Sequence, residues 1–206
     1  MNKTFFISGG NRFGESRVLL DAGFQPAASM EEADFVVFTG GADINPAIYG
    51  EDVHPYTHFM DQRDKREIAD YEKAKGLGKA MLGICRGAQL LNCLAGGTLF
   101  QDISHPGYHE IVSDEGERFM SNSVHHQMLR VGKGAIIKAW AENLSPHHEF
   151  MSQGQVVNIT DVEKEPEIVI YPEHRMVLVQ GHPEFDGRSE ELSRFREFVF
   201  NLVKEA

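Results

Sequence analysis

The chain has 206 residues, enough for one sizeable α/β domain with a well-buried core. Its 41% hydrophobic and 25% charged residues are typical of a globular protein, and no run approaches the about 20 apolar residues that span a membrane. The formal net charge of −11 argues against a surface for nucleic acid or anionic lipid, because either needs clustered Lys and Arg.

Two cysteines, Cys85 and Cys93, occur, and they form no CxxC pair. The apolar stretch at residues 5–7 is far shorter than a secretory h-region. Because this cysteine usage fits a reducing compartment, we expect a soluble cytoplasmic protein.

The first half of the chain alternates apolar runs with helical patterns, which predicts a mainly parallel sheet covered by helices on both faces. Strands are expected within residues 4–10, 33–41 and 79–85, and helices over a segment that ends at Gly23, over a segment from Asp64 to Gly76, and over residues 88–97. Asp64 followed by Glu67 resembles a capping box at the start of the second helix.

The second half carries short strand-like segments, some of which should pair antiparallel. They are HEIVS (109–113), FMSNSVHHQMLRV (119–131), AIIKAW (135–140), QVVNI (155–159), EIVIY (167–171) and MVLVQG (176–181). The last two form a hairpin across a Pro-containing turn. Residues 189–206 predict an amphipathic helix with Leu192, Phe195, Phe198, Val199, Leu202 and Val203 on one face. Since no repeat or linker is visible, residues 1–206 are expected to form a single domain.

Residues 81–92, MLGICRGAQLLN, place a cysteine at the corner between a strand and a helix. Gly83 and Gly87 flank Cys85 as small neighbours, which is the cysteine version of the nucleophile elbow. A helix N-terminus favours the reactive thiolate, and the N–H of Arg86 can stabilise an oxyanion. The alternative is a buried structural thiol, the role that we expect for Cys93 within the helix.

A thiol nucleophile needs a general base and a group that orients this base. VQGHPEF (179–185) follows a buried strand and offers His182 and Glu184, two residues apart across a proline. Side chains at this spacing in an extended segment project to the same side. By itself, this pair is only weak evidence for a catalytic site. Together with the cysteine at position 85, it indicates a general base and its orienting carboxylate.

These motifs together resemble the class I glutamine amidotransferases. GICRGAQLLN (83–92), GGTLFQDI (96–103) and GHPE (181–184) resemble that fold, which implies a flavodoxin-like α/β architecture: a mainly parallel central sheet flanked by helices, with an antiparallel portion. Within it, the γ-glutamyl hydrolases, including bacterial γ-glutamyl-γ-aminobutyrate hydrolase, are the most similar group. TGGADINPAIYGE (39–51), QRD (62–64) and SNSVHHQ (121–127) match motifs of this group.

The resemblance implies a Cys85–His182–Glu184 triad that forms a γ-glutamyl thioester, with Gly41 and Arg86 as oxyanion donors. It also implies that four residues contact the substrate: Gln89, Val124, His125 and His126. One departure is Gly181, where the family usually carries a bulky aromatic residue before the histidine. We therefore expect a more open pocket wall there.

The leading function is the hydrolysis of a γ-glutamyl amide, and the alternative is a glutaminase subunit that delivers ammonia to a separate synthetase chain. A catalytically idle binding or regulatory module is a third reading. No cofactor and no metal site are expected, because adjacent histidines on a strand point to opposite faces and no Cys or carboxylate cluster has zinc-like spacing.

Several other segments leave two readings open. Arg63 and Asp64 could hold substrate or form a salt-linked helix start. Residues 47–59 could close over the pocket or form a plain surface loop. His147 and His148 are expected in a solvated loop, and Phe200 offers a hint of a subunit contact in a possible homodimer.

Overall fold

The computed structural model describes residues 3–10, 13–105, 107–185 and 190–206. Four α-helices lie within them: α1 (Phe13–Asp21), α2 (Asp61–Gly76), α3 (Arg86–Leu94) and α4 (Glu190–Glu205). Short 3₁₀ turns cover Pro46–Tyr49 and Pro172–His174. None of the helices in this part of the chain has both the length and the apolar character needed to cross a bilayer.

The same residues contain fourteen strands: β1 (Thr4–Ile7), β2 (Gln25–Pro26), β3 (Phe35–Phe38), β4 (Ala80–Ile84), β5 (Thr98–Phe100), β6 (Asp102–Ile103), β7 (Tyr108–Ser113), β8 (Arg118–Asn122), β9 (Met128–Arg130), β10 (Ile136–Ala141), β11 (His148–Ser152), β12 (Gln155–Asn158), β13 (Pro166–Tyr171) and β14 (Met176–Val179). Nine of them form a mixed sheet in the order β2-β1-β3-β4-β14-β13-β10-β7-β8. The predicted fold class, a sheet of parallel strands flanked by helices with an antiparallel portion, is confirmed, and the antiparallel portion makes up half of the sheet.

The parallel half runs from β2 to β14, and its strands β3, β4 and β14 are buried on both faces. In β3, Phe35 and Val37 pack into the core beneath α1 and α4, while Val36 and Phe38 pack into the core beneath α2 and α3. Continuous apolar strands such as FVVF are typical of a sheet covered on both sides. This burial fixes the register of the central strands.

Strand β14 lies where the sheet changes direction. It pairs parallel with β4, with Val179 opposite Ile84, and antiparallel with β13. The hairpin predicted for β13 and β14 is confirmed, with Pro172–His174 as its turn. The ends of β4 and β14 therefore lie side by side in the centre of the molecule.

Two predictions in the second half were wrong. Residues 119–131 do not form one strand: β8 ends at Asn122, and β9 pairs separately with β5. His148 does not lie in a solvated loop but is buried at the start of β11, which pairs with β6 and β12. Both errors arise from contacts between segments distant in sequence, which local patterns do not report.

Two helix predictions also need correction. α2 begins at Asp61 rather than at Asp64, and Met60 caps it without a side-chain hydrogen bond. Phe200 is buried rather than available to a subunit contact, because its ring packs edge-on against Phe24 at 5.7 Å between centroids. α1 ends at Asp21, and Gly23 follows as the predicted stop with a positive φ of 89°.

Candidate active site

Cys85 occupies a strained corner between β4 and α3. Its φ of 50° and ψ of −110° are unusual for a residue with a side chain, and such strain costs about 1–3 kcal/mol. A Cβ on Gly83 would lie 2.7 Å from Ala88 Cα, and one on Gly87 would lie 2.0 Å from the Phe38 carbonyl oxygen. Both positions require glycine, because a side chain there would collide with backbone atoms of the neighbouring segments.

The two cysteines have different surroundings. Cys85 is the N-cap residue of α3, so its side chain lies at the N-terminus of this helix. Cys93 lies inside the same helix and packs in the core with Leu90 and Leu91, and its burial raises the pKa of the Cys93 thiol. Packing in the core therefore accounts for Cys93, whereas it does not explain the strained backbone at Cys85.

His182 follows β14 and is held by Glu184 and Phe185. Its Nδ1 donates a hydrogen bond of 2.6 Å to Glu184 Oε1, and both side chains are largely buried. The Phe185 ring stacks on the imidazole at 4.3 Å between centroids. Because Nδ1 is engaged by the carboxylate, Nε2 is the nitrogen left for proton transfer.

Cys85 and His182 meet at Gly40. A Cβ on Gly40 would lie 2.8 Å from His182 Cε1 and 3.7 Å from Cys85 Cβ. Both side chains therefore lie directly beside Gly40, and no room is left there for a larger residue. Burial disfavours the imidazolium, but the hydrogen bonds and charge interactions with Cys85 and Glu184 outweigh it and raise the pKa of His182 to about 10. This raised pKa favours the protonated imidazole at neutral pH, beside the Cys85 side chain.

The peptide between Gly40 and Gly41 is anchored from one side. Arg63 Nη2 donates to the Gly40 carbonyl at 3.0 Å and to the Thr39 carbonyl at 2.9 Å. In a trans peptide the N–H points away from the C=O, so the Gly41 N–H is directed away from Arg63. Gly41 has a φ of 147°, and a Cβ there would lie 2.0 Å from Arg63 Nη1.

The guanidinium of Arg86 is buried and serves a structural purpose. It forms ion pairs with Asp64 and Glu67, and the second oxygen of Glu67 accepts from Arg63 Nε at 2.8 Å. Asp64 also accepts from the backbone of Asn45 at 3.0 Å. One buried network of ion pairs thus links the Gly40–Gly41 turn to the strand–helix corner at Cys85. Of the two readings for Arg63 and Asp64, the structure shows ion pairs, with Glu67 and Arg86 respectively, but α2 begins at Asp61 rather than at either residue.

Asn122 is a residue of the site that the sequence analysis missed. Its Oδ1 accepts from the backbone N–H of His182 at 2.9 Å, and its Nδ2 donates to the His182 carbonyl at 2.8 Å. Asn122 lies within the SNSVHHQ motif, which was the available signal. The pair fixes the backbone that carries the imidazole.

The four residues expected to contact substrate lie in different surroundings. Gln89 Nε2 and His125 Nδ1 both donate to the carbonyl of Gln127, at 3.2 and 3.0 Å, and both side chains are buried. Val124 is 64% exposed. His126 points the opposite way from His125, towards Asp43 and Asp102, and these carboxylates raise its pKa. Their substrate contacts stay a prediction.

The wall at Gly181 is filled rather than open. A Cβ on Gly181 would lie 2.3 Å from Ser121 Oγ and 3.2 Å from the Asn122 carbonyl oxygen. Gly181 is itself buried. The glycine therefore makes room for β8 beside the histidine, instead of enlarging a pocket.

The peptidase C26 family model matches residues 21–184. The glutamine amidotransferase-like protein YvdE of Lactococcus lactis subsp. lactis is 31% identical over 185 residues, which cover 78% of this chain and 70% of that protein. Its homolog from Lactococcus lactis subsp. cremoris is 38% identical over 125 residues, or 49% of this chain, and the match spans 66% of that relative. PurLQS from Thermotoga maritima superposes with a TM-score of 0.68 at 15% identity, covering 100% of this chain and 99% of that one.

Proposed function

The chain belongs to the peptidase C26 family of class I glutamine amidotransferase-like proteins, and we propose from this that it hydrolyses a γ-glutamyl amide bond through a cysteine thioester. The observation that carries the proposal is Cys85 at a strained elbow, next to an imidazole that Glu184 orients. A buried structural thiol explains neither the backbone strain nor the neighbouring histidine–carboxylate pair.

In the first step, Cys85 Sγ bonds to the γ-carbonyl carbon and the carbonyl oxygen takes the negative charge. The backbone N–H groups of Gly41 and Arg86 stabilise this oxyanion. The loss of one such donor typically raises the activation free energy by about 3 kcal/mol. The C–N bond then breaks while His182 Nε2 gives its proton to the leaving amine. A γ-glutamyl thioester on Cys85 and a neutral imidazole remain.

In the second step, His182 Nε2 takes a proton from water as the water oxygen attacks the thioester carbonyl. The C–S bond breaks, and glutamate leaves. Cys85 returns to the thiolate and His182 to the imidazolium. Glu184 accepts the Nδ1–H throughout, which keeps Nε2 facing the reacting atoms.

The test is glutamate release by the purified chain from γ-glutamyl-γ-aminobutyrate, other γ-glutamyl amines and glutamine. We expect Cys85→Ala to abolish turnover. A glutamine-like diazoketone should label the wild type, so that its intact mass rises by the mass of one adduct. Cys93→Ala is the matched control and should keep both properties. Turnover by Cys85→Ala, or labelling at Cys93, would contradict the proposed nucleophile.

A glutaminase subunit that passes ammonia to a separate synthetase is the second candidate, favoured by the names of the two Lactococcus relatives. Its signature would be weak cleavage of glutamine by the isolated chain and strong cleavage with a partner. Efficient turnover of γ-glutamyl amines by the isolated chain supports the hydrolase instead. If neither substrate class turns over and no adduct forms, the chain is a binding or regulatory module.

A further inference from the structure

A second group of ionisable side chains is buried under the antiparallel half of the sheet. It consists of His105, His109, His125, Glu165 and Glu167, which we call the histidine cluster. All five side chains are at most 4% exposed. Three imidazoles surround one oxygen, Glu167 Oε1: His105 Nδ1 at 3.6 Å, His109 Nε2 at 3.1 Å and His125 Nε2 at 3.9 Å. The steps proposed for the hydrolase reaction use none of them, although the family resemblance implies that His125 contacts substrate.

The outer nitrogens of two imidazoles are already engaged by hydrogen-bond acceptors. His105 Nε2 pairs with Glu165, and His125 Nδ1 donates to the Gln127 carbonyl at 3.0 Å. Glu165 is held in turn by the Ser145 N–H at 2.6 Å and by His148 Nε2 at 2.5 Å. When both imidazoles are neutral and carry one N–H each, these contacts leave the lone pairs on His105 Nδ1 and His125 Nε2.

These two inner nitrogens are buried and have no hydrogen-bond partner among the described residues. Both face the carboxylate of Glu167, which is an acceptor as well. Lone pairs turned towards a buried carboxylate without a donor or a cation between them are unfavourable. The arrangement therefore calls for a positive charge at the centre.

We propose that the histidine cluster binds a divalent transition metal of the Zn²⁺ class through His105 Nδ1, His125 Nε2 and a carboxylate oxygen of Glu167. The three ligand atoms lie within 4.8 Å of one another. A tetrahedral ion with bonds of about 2.0–2.2 Å needs its ligands about 3.4 Å apart, so shifts of about an ångström close the site. Three protein ligands leave the fourth position for water.

The surrounding contacts are those of a metal site. Glu165 orients His105 from behind, as a carboxylate does in a carboxylate–histidine–metal arrangement, and the Gln127 carbonyl does the same for His125. His109 Nε2 donates to the ligand oxygen of Glu167. Sequence spacing could not indicate this site, because its ligands come from three separate segments and only the first histidine of the 125–126 pair takes part.

The histidine cluster also lies behind the candidate catalytic histidine. Ser121 sits between Glu167, 3.5 Å away, and Gly181, while the Glu167 carbonyl accepts from the Gln180 N–H at 2.8 Å. A bound metal would join the loop of His105 and the SNSVHHQ segment to β13. The effect expected from it is stabilisation of this region, independent of the proposed reaction.

The test uses the full chain without an affinity tag, stripped with a chelator and dialysed against metal-free buffer. Zn²⁺ or Co²⁺ is then added back and the excess is removed. We expect one bound metal ion per chain by elemental analysis and a higher Tm than that of the stripped chain. The Co²⁺-loaded chain should show the visible spectrum of tetrahedral Co²⁺. Glu165→Gln should weaken binding about 10- to 100-fold, because Glu165 only orients a ligand, and His125→Ala should weaken it more. The matched control is His58→Ala, an exposed histidine outside the cluster, which should bind as the wild type does.

If the variants fail to fold, X-ray absorption of the Zn²⁺-loaded wild type decides, with two imidazole nitrogens at about 2.0–2.1 Å expected. No stoichiometric binding, no change in Tm, or equal weakening in His58→Ala would overturn the proposal. In that case a proton on His105 supplies the positive charge instead of a metal.

Discussion

Asn122 and His182 exchange two hydrogen bonds, although 60 residues separate them. The amide oxygen of Asn122 accepts from the backbone N–H of His182, and the amide nitrogen donates to its carbonyl, at 2.9 and 2.8 Å. An asparagine is suited to this task because one planar group offers both a donor and an acceptor. The position of the candidate general base thus depends on the last residue of β8.

We expect Asn122→Ala to lower kcat by up to about 100-fold and to change KM little, because a displacement of the base by about an ångström has effects of this size. The loss of two buried hydrogen bonds should also lower the free energy of unfolding by about 1–3 kcal/mol. Steady-state kinetics and urea denaturation measure the two effects. Asn143→Ala, at an exposed position, is the control; equal kinetics in both variants would refute the positioning role.

Gly40→Ala should impair catalysis while the chain stays folded. The new methyl group would lie 2.8 Å from His182 Cε1, so the imidazole must move away from Cys85. We expect a fall in kcat of about 100-fold and slower labelling of Cys85 by an affinity reagent. Gly76→Ala is the control, because its Cβ would meet open space at the end of α2. Wild-type labelling kinetics in Gly40→Ala would count against the geometry.

Glu67→Ala should strongly destabilise the chain. Glu67 lies between two guanidiniums, and its removal leaves Arg86 and Arg63 buried with less negative charge, which typically costs about 3–5 kcal/mol. Urea denaturation measures the change, and Glu67→Gln gives a milder variant for kinetics. Glu72→Ala, on the exposed face of the same helix, should stay within about 0.5 kcal/mol of the wild type. Similar stabilities for the two alanine variants would show that the network contributes little.

The pH dependence follows from the raised pKa of His182, which burial opposes and which Cys85 and Glu184 bring to about 10. The protonated form that gives its proton to the leaving amine persists below this value and is lost as pH rises through it. We therefore expect kcat/KM to fall at the alkaline end near pH 10.

Glu184→Gln removes one of the charges that raise the pKa of His182, so its alkaline limb should move to lower pH. Glu173→Gln, on the exposed turn before β14, should leave the profile unchanged. The measurement is kcat/KM across the pH range in which the variants stay folded. An alkaline limb near pH 6.5 in the wild type, the ordinary value for histidine, would contradict the coupling of His182 to Cys85.

Features set by neighbouring residues could be predicted from the sequence. The strained corner at Cys85, the glycines around it and the β13–β14 hairpin depend on local backbone geometry, and the structure has them as expected. The alternation of buried strands and helices was equally visible, because continuous apolar runs reflect burial on both faces. The roles of the triad, the oxyanion donors and the substrate-contacting residues stay predictions, as does the single domain.

Features set by distant contacts could not be predicted. β11 has a weak apolar pattern and forms only because β6 and β12 flank it, which brings His148 to Glu165. The capping-box reading of Asp64 and Glu67 failed for the same reason: their carboxylates bind Arg86, about 20 residues further along the chain. A charged residue in the sequence does not reveal whether its counterion is solvent or a buried partner.

The parallel pairing of β4 with β14 makes the spacing between Cys85 and His182 independent of the exposed loops. Cys85 directly follows β4 and His182 lies a short way beyond the end of β14, so the ladder between these two strands brings both side chains to the same edge of the sheet. Exposed loop positions such as Val53 and Tyr56 take no part in that ladder, so substitutions there leave the pairing of β4 and β14 unchanged.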